Sequence, residues 1–177
     1  WLGKNQVVDI SQPYLTALWR ETDETVALFV VGDHDTKVCI QELKSRQALV
    51  FTRGTGIVEP LIVGSSGKSM LAFQEAGVIR DILAAIEDSR IRGHVERDLA
   101  TIRQNGYSVT EGEVIAGAVA LSAPIFDRAG AVKSSVALYG PESRLSGDHK
   151  ARCLDSLMRT AGQISLAMGY RQSSAAE

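Results

Sequence analysis

The segment "GSSGKS", Gly64–Ser69, holds a dense set of groups able to do chemistry, and two kinds of chemistry use its elements. A phosphate-cradling loop needs a glycine five residues before its Gly-Lys pair. Ile62 stands there, and no acidic strand downstream offers a magnesium ligand. Serine acyl enzymes use Ser-x-x-Lys, which Ser65 and Lys68 match, but the companion S-D-N and K-T-G segments are missing. A capping serine followed by a solvated lysine accounts for the same letters. A helix start at Ser65–Gly67 would still attract a carboxylate through its exposed amides.

The remaining reactive side chains are scattered. Cys39 and Cys153 are the only cysteines, without a C-x-x-C pair. They indicate neither a disulfide framework nor a zinc knuckle, and fit a reducing, cytoplasmic setting. His34, His94 and His149 fall in a turn and at two helix starts without ligand spacing, so no metal is expected. Glu111 and Glu113 precede an alanine-rich strand, as acid–base groups or, more commonly, as surface carboxylates. No catalytic constellation emerges, so the reading is not an enzyme and needs no cofactor.

Positioning any site requires a core, and 177 residues with 45% hydrophobic content suffice for one. A single domain over residues 1–177 is the expectation. A net charge of −2, without a basic cluster, gives no field to attract nucleic acid or an anionic membrane. No apolar run approaches the roughly 18 residues of a spanning helix, and no signal segment opens the chain. The chain begins at Trp1 rather than methionine, which reads as a segment of a longer protein.

Helical spacing of Tyr14, Leu15, Leu18 and Trp19, with Ser11 as N-cap and Pro13 in the first turn, predicts a helix over about 12–22. "TVALFVVGDHDTKVCIQELK" reads as a β-hairpin turning at residues 32–35, and Gln47–Arg53 as a third strand. Ser65 or Ser66 would cap a short helix reaching about Phe73. Helices are expected over 76–86 and 94–105, the second closed by Gly106 at C′. A long amphipathic helix carrying Leu154, Leu157, Met158, Ala161, Ile164 and Met168 ends the fold. Partly segregated strands and helices indicate α+β with an antiparallel sheet.

Between the last two helices lies "GAVALSAPIFDRAGAVKSSVALYGP", a hairpin turning at Asp127–Gly130. If Phe126 faces Ala131 and no bulge intervenes, Ala118, Ala120 and Ser122 oppose Tyr139, Ala137 and Ser135. One face then carries Val119, Leu121, Ile125, Val132, Val136 and Leu138. The other carries mostly alanine and serine, with Tyr139 as its one large ring. Such a face admits either a closely packed helix or a ligand cavity floored by the sheet, and periodicity leaves both open.

Four segments in order, "ETDETVALFV", "GIVEPLIVGSSGKSMLAF", "IRQNGYSVTEGEVIAGAVALSAPIFDRAGAV" and "YGPESRLS", resemble the effector-binding C-terminal region of IclR-family transcription regulators. The resemblance implies a GAF-like domain that binds a small molecule and assembles as a homodimer or tetramer. It also implies an upstream winged helix-turn-helix domain that alone contacts DNA. Carried onto this sequence, the family's effector site falls on Ala48, Phe51, Ser65, Ser66, Thr110, Ala118, Ala120, Leu121, Ala137 and Tyr139. Some family members place an acidic residue after "GY-x-V" and serines on the second hairpin strand, where this chain has Thr110, Ala137 and Tyr139. That difference points to an aromatic or other mostly apolar acid or alcohol, its ring near Phe51 and Tyr139 and its polar end at Ser65–Gly67. Two alternatives stand beside this reading. One is a small GAF-like enzyme such as a sulfoxide reductase, which needs Cys39 and Cys153 together, and the other is a dimerisation module without a ligand.

Overall fold

The computed structural model describes residues 4–33 and 35–171. His34 lies outside the described residues. The first element, α1 (Lys4–Thr22), extends N-terminally of the expected helix and takes Ser11 into its interior. Val7, Ser11, Leu15 and Leu18 recur at helical spacing and are all buried, so one continuous stripe drives the helix through the expected cap. Pro13 removes one helical hydrogen bond, but it lies on the exposed face, where water can satisfy the freed carbonyl.

Then follow β1 (Thr25–Val31), β2 (Thr36–Leu43), β3 (Val58–Pro60), α2 (Gly64–Leu71), α3 (Ala76–Ala84) and α4 (Ser89–Asn105). The chain continues through β4 (Ser108–Glu111), β5 (Ala118–Phe126), β6 (Val132–Pro141) and α5 (Gly147–Ala167). The six strands form one sheet in the order β3-β2-β1-β6-β5-β4, every neighbouring pair antiparallel. The architecture is α+β. Gly106 caps α4 in the left-handed conformation at φ 80°, its amide donating to the Ile102 carbonyl at 2.8 Å.

The sheet separates two apolar layers. Beneath it, α1 and α5 cover Val26, Leu28, Val119, Leu121, Ile125, Val136 and Leu138. Leu28, Leu121, Leu138, Leu157 and Ile164 are fully enclosed there, each contributing roughly 1.5–3 kcal/mol by burial. Above it, Ala27, Phe29, Cys39, Ala137 and Tyr139 meet Met70 and Leu71 of α2 and Val95, Leu99 and Ile102 of α4.

Three expectations need correction. Gln47–Arg53 forms no strand; β2 pairs instead with the short β3, Lys37 opposite Glu59. The 51–54 stretch is fixed by side chains, with Thr25 Oγ1 donating to the Phe51 carbonyl at 2.9 Å and Glu42 accepting from the amides of Arg53 and Gly54. Helix α2 begins at Gly64 with Val63 as N-cap, so Ser65 and Ser66 lie inside its first turn and cap nothing. Gly67 is required there, because a Cβ would stand 2.3 Å from the Leu61 carbonyl oxygen.

The β5–β6 register is the third. Ala120 opposes Tyr139 and Ser122 opposes Ala137, two residues away from the bulge-free expectation, and the register shifts between Ile125 and Phe126. The turn spans Asp127–Ala131, with Asp127 Oδ1 accepting from the amides of Ala129 and Ala131 at 2.9 and 3.0 Å. A shift of two keeps each side chain on its face, so the small-residue face survives. The bulge does flip Val132, which lies in the upper layer rather than beside Val136.

Candidate functional site

The small-residue face resolves into two parts along its length. Ser122 and Ser135 receive α2 at close range: Ser69 Oγ and Ser122 Oγ share a hydrogen bond at 2.9 Å, and Ser135 Oγ donates to the Ser66 carbonyl at 3.2 Å. Toward the other end, α2 stops at its first turn and the floor is left open. There Ala118, Ala120, Ala137 and Tyr139 underlie a cavity with about 500 Å³ of empty space, part of it open to solvent. The face therefore carries a closely packed helix at one position and an open cavity at another.

Several elements wall the cavity. The first turn of α2 supplies Gly64, Ser65 and Ser66; β1 and β2 supply Phe29 and Lys37; the fixed 51–54 stretch supplies Phe51 and Arg53. The β4–β5 connection closes the remaining side with Glu113, Val114 and Ile115, next to Thr110. Tyr139 is oriented by Glu42, to which its hydroxyl donates. Burial, followed by this hydrogen bond, pushes the phenol well above its ordinary range. Burial alone would raise Glu42, but donors from Thr52, Tyr139 and the amides of Arg53 and Gly54 outweigh it and hold the carboxyl below its usual value.

Two ion-pair groups adjoin the cavity, one through Glu113 and one through Lys37, Arg53 and Glu59. Lys68, buried in α2, donates to Asp98 Oδ2 at 2.6 Å and Glu113 Oε2 at 2.7 Å. The other oxygen of Glu113 accepts from the Gly64 amide at 2.9 Å. Lys68 is thus a buried structural cation rather than a solvated one, and Glu113 ties the β4–β5 connection to the start of α2. On the opposite wall Arg53 pairs with Glu59. Lys37, its side chain 3% exposed, lies 3.6 Å from the same carboxylate. Lys37 Nζ donates to the Val63 carbonyl at 2.6 Å and Ser66 Oγ at 2.9 Å, and rests 5.3 Å from the centre of the Phe29 ring. Burial, then the nearby Arg53 guanidinium, pushes its ammonium down to about 8.

A family described as bacterial transcriptional regulator IclR, C-terminal, matches residues 1–166. The chain belongs to the IclR family. The HTH-type transcriptional regulator KdgR of Dickeya chrysanthemi is 31% identical over 169 residues, covering 92% of this chain and 54% of that protein. The regulator KipR of Bacillus subtilis is 27% identical over 168 residues, covering 91% of this chain and 67% of its own length. The crystal structure of the Thermotoga maritima IclR superposes with a TM-score of 0.83 at 27% identity, covering 93% of this chain and 69% of that one. The chain spans about half the length of KdgR. These relatives are named as transcriptional regulators, and the IclR family is not one of enzymes.

Of the residues assigned from the IclR resemblance, Phe51, Ser65, Ser66, Thr110, Ala118, Ala120, Ala137 and Tyr139 border the cavity. Two do not. Leu121 is fully buried in the α1–α5 layer on the opposite face of the sheet, as alternation along β5 requires. Ala48 is exposed in the loop before Phe51 and is not among the lining residues. The charged lining, Lys37, Arg53, Glu59 and Glu113, was missed as cavity wall. The cross-strand pairing of β2 with β3 brings Lys37 to Glu59, and Arg53 joins them through its ion pair with Glu59.

The other candidate groups stay apart. Cys39 lies in the upper layer and Cys153 in the lower, so the sheet separates the two thiols. Burial pushes each up to about 11, which leaves both as inert thiols at neutral pH. Glu111 pairs with Lys150 at the surface, and His94 faces Asp98 at 3.5 Å. Among the described residues, no three histidine, cysteine or acidic side chains are grouped to hold a metal ion. No described helix is long and apolar enough to cross a membrane.

Proposed function

We propose that this chain is the effector-sensing part of a bacterial transcriptional regulator, taking a small, mostly apolar acid or alcohol in the cavity above β5 and β6. One observation carries the reading. The floor at Ala118, Ala120 and Ala137 is left open beside two aromatic rings, Phe51 and Tyr139, although the same sheet face is closely packed only a few residues away. An interior that close-packs elsewhere keeps such a space for an occupant.

DNA reading is assigned to a separate upstream winged helix-turn-helix domain, in keeping with the HTH-type naming of the relatives and with a net charge of −2 in this chain. The working protein is a cytoplasmic homodimer or tetramer. Effector binding favours one arrangement of subunits, and the DNA readers follow. No bond is made or broken.

A thermal-shift screen of this chain against aromatic acids, phenols, short keto acids and nucleotides tests the reading. A ligand at about 100 times its Kd adds roughly 2.7 kcal/mol, which at this chain length raises Tm by roughly 5 to 10 °C. A response to aromatic or apolar compounds supports a sensor. No response from any class, in protein that mass spectrometry shows to carry no bound compound, would leave an unliganded dimerisation module as the better account.

A further inference from the structure

The β4–β5 connection, residues 112–117, closes one side of the cavity with Glu113, Val114 and Ile115. Its two ends lie together, since the Gly112 amide donates to the Ala118 carbonyl at 2.8 Å. Gly112 and Gly117 take φ of 65° and 74°, and nothing lies within 4 Å of a Cβ built on either. The connection is a short strap with a left-handed glycine and open space at each end.

Among the described residues, Glu113 makes the only hydrogen bonds that carry residues 113–116 to another element. Both go to α2: Oε1 accepts from the Gly64 amide at 2.9 Å and Oε2 from Lys68 at 2.7 Å. Val114 rests beside them, so that a Cβ on Gly64 would meet Val114 Cγ2 at 3.2 Å. The Lys68 side chain is 3% exposed, and a buried ammonium left without a counter-ion is costly. Asp98 Oδ2 holds it at 2.6 Å independently of Glu113. Glu113 can therefore leave without stranding the charge, and its own carboxylate, already 32% exposed, passes to water. Opening gives up one charge-assisted pair and one amide bond, both made only while the strap is closed.

We propose that residues 112–117 are a strap that swings on Gly112 and Gly117 to admit the ligand. Glu113 latches it on Lys68 and Gly64, and Asp98 is the counter-ion that lets the latch release. What passes the strap rests on the effector-sensing reading; the motion does not. Glu113 and Asp98, although both bonded to Lys68, act in opposite directions. Removing Glu113 frees the strap, whereas removing Asp98 leaves Lys68 with Glu113 alone and holds the strap shut. A merely structural ion-pair cluster would loosen in both cases.

Thiol labelling of the chain without ligand tests this. Ala137 borders the cavity yet is 1% exposed, so the thiol introduced by Ala137→Cys reports access to the floor. Cys153, buried beneath the sheet, reports general unfolding in the same molecule. Labelling with methyl methanethiosulfonate, read site by site by mass spectrometry, is expected to be slow at position 137. Adding Glu113→Ala should speed it roughly ten- to a hundredfold with Cys153 unchanged. Glu113→Gln, which keeps one neutral acceptor, should fall in between. Adding Asp98→Asn instead should slow labelling by roughly tenfold. A melting curve for each variant shows that it is folded, and Asp98→Asn alone decides the sign should Glu113→Ala fail to fold. An equal rate in Glu113→Ala, acceleration by Asp98→Asn, or labelling of position 137 and Cys153 together overturns the latch. So does labelling of Ala137→Cys, in the otherwise unaltered chain, as fast as a thiol in solution. None of these touches the sensor, because the thermal-shift screen reads occupancy rather than entry, and a silent screen leaves the labelling result intact.

Discussion

Arg144 Nε and Nη2 donate to the two carboxylate oxygens of Glu24 at 2.6 and 2.7 Å, tying the residue before β1 to the segment between β6 and α5. The Glu24 side chain is 1% exposed, and His149 approaches the same carboxylate at 3.6 Å. Gly140 lies so close beneath it that a Cβ would stand 2.4 Å from Glu24 Oε2. Arg144→Ala strands a buried carboxylate and should cost about 3–5 kcal/mol in urea unfolding. The apolar double replacement Glu24→Leu with Arg144→Met should cost less than the single. A single-variant loss below about 1 kcal/mol would show that the pair behaves as a surface contact.

Ala120, opposite Tyr139 on the cavity floor, separates a cavity from a packed interface. Ala120→Phe should abolish ligand-induced stabilisation while changing Tm little, because the ring enters open space. Overpacking a filled interface would instead cost typically 1–3 kcal/mol. A ligand response retained in the variant would place the binding site elsewhere.

Leu121, the next residue, gives the opposite pattern. It is fully enclosed between the sheet and the α1–α5 layer, so Leu121→Ala should cost about 2–5 kcal/mol. The increment in Tm produced by a ligand should survive. A selective loss of binding, with stability intact, would return Leu121 to the site.

The depressed ammonium of Lys37 makes a signed prediction about pH. Folding disfavours its charged form, so the penalty is fully present below about pH 8 and relieved as pH rises toward the unfolded value of roughly 10.4. Across that window the folded chain has shed a proton that the unfolded chain still binds, so stability rises with pH. Lys37→Met should therefore compare more favourably with the parent at neutral pH than at about pH 10, by on the order of 2–3 kcal/mol. This relative gain should shrink with rising pH, measured as the difference between two urea titrations at each pH. A constant difference would show that burial leaves the ammonium undisturbed.

How much of this was legible in the sequence depends on the range of the interactions involved. Helical stripes and the Gly106 cap are local and could be read directly. The alanine and serine face survived a register error of two residues because a strand repeats every two. Val132 did not, since the bulge near Phe126 depends on how a five-residue turn closes. Gln47–Arg53 has strand-forming residue types but no partner, and is fixed by Thr25 and Glu42 from elsewhere in the chain. Lys37 and Glu59 have no local pattern that marks them, and the pairing of β2 with β3 across the intervening loop makes them a cavity wall. The polar half of the site was hidden because it is made by tertiary contacts. The apolar half was visible because it is written as alternation.

The sheet is one residue thick, and the cavity and the α1–α5 layer occupy opposite sides of it. On β6, Ala137 and Tyr139 face one side while Val136 and Leu138 face the other. A molecule seated against the upper wall therefore touches nothing below, and news of its arrival must cross as displacement of the strands themselves, working like a diaphragm. Whatever lifts the backbone at Ala137 shifts Val136 and Leu138 with it, in a layer packed too tightly to absorb the movement silently. Stiffness in β1 and β6, more than any chain of side-chain contacts, would then govern how loudly one face is heard on the other.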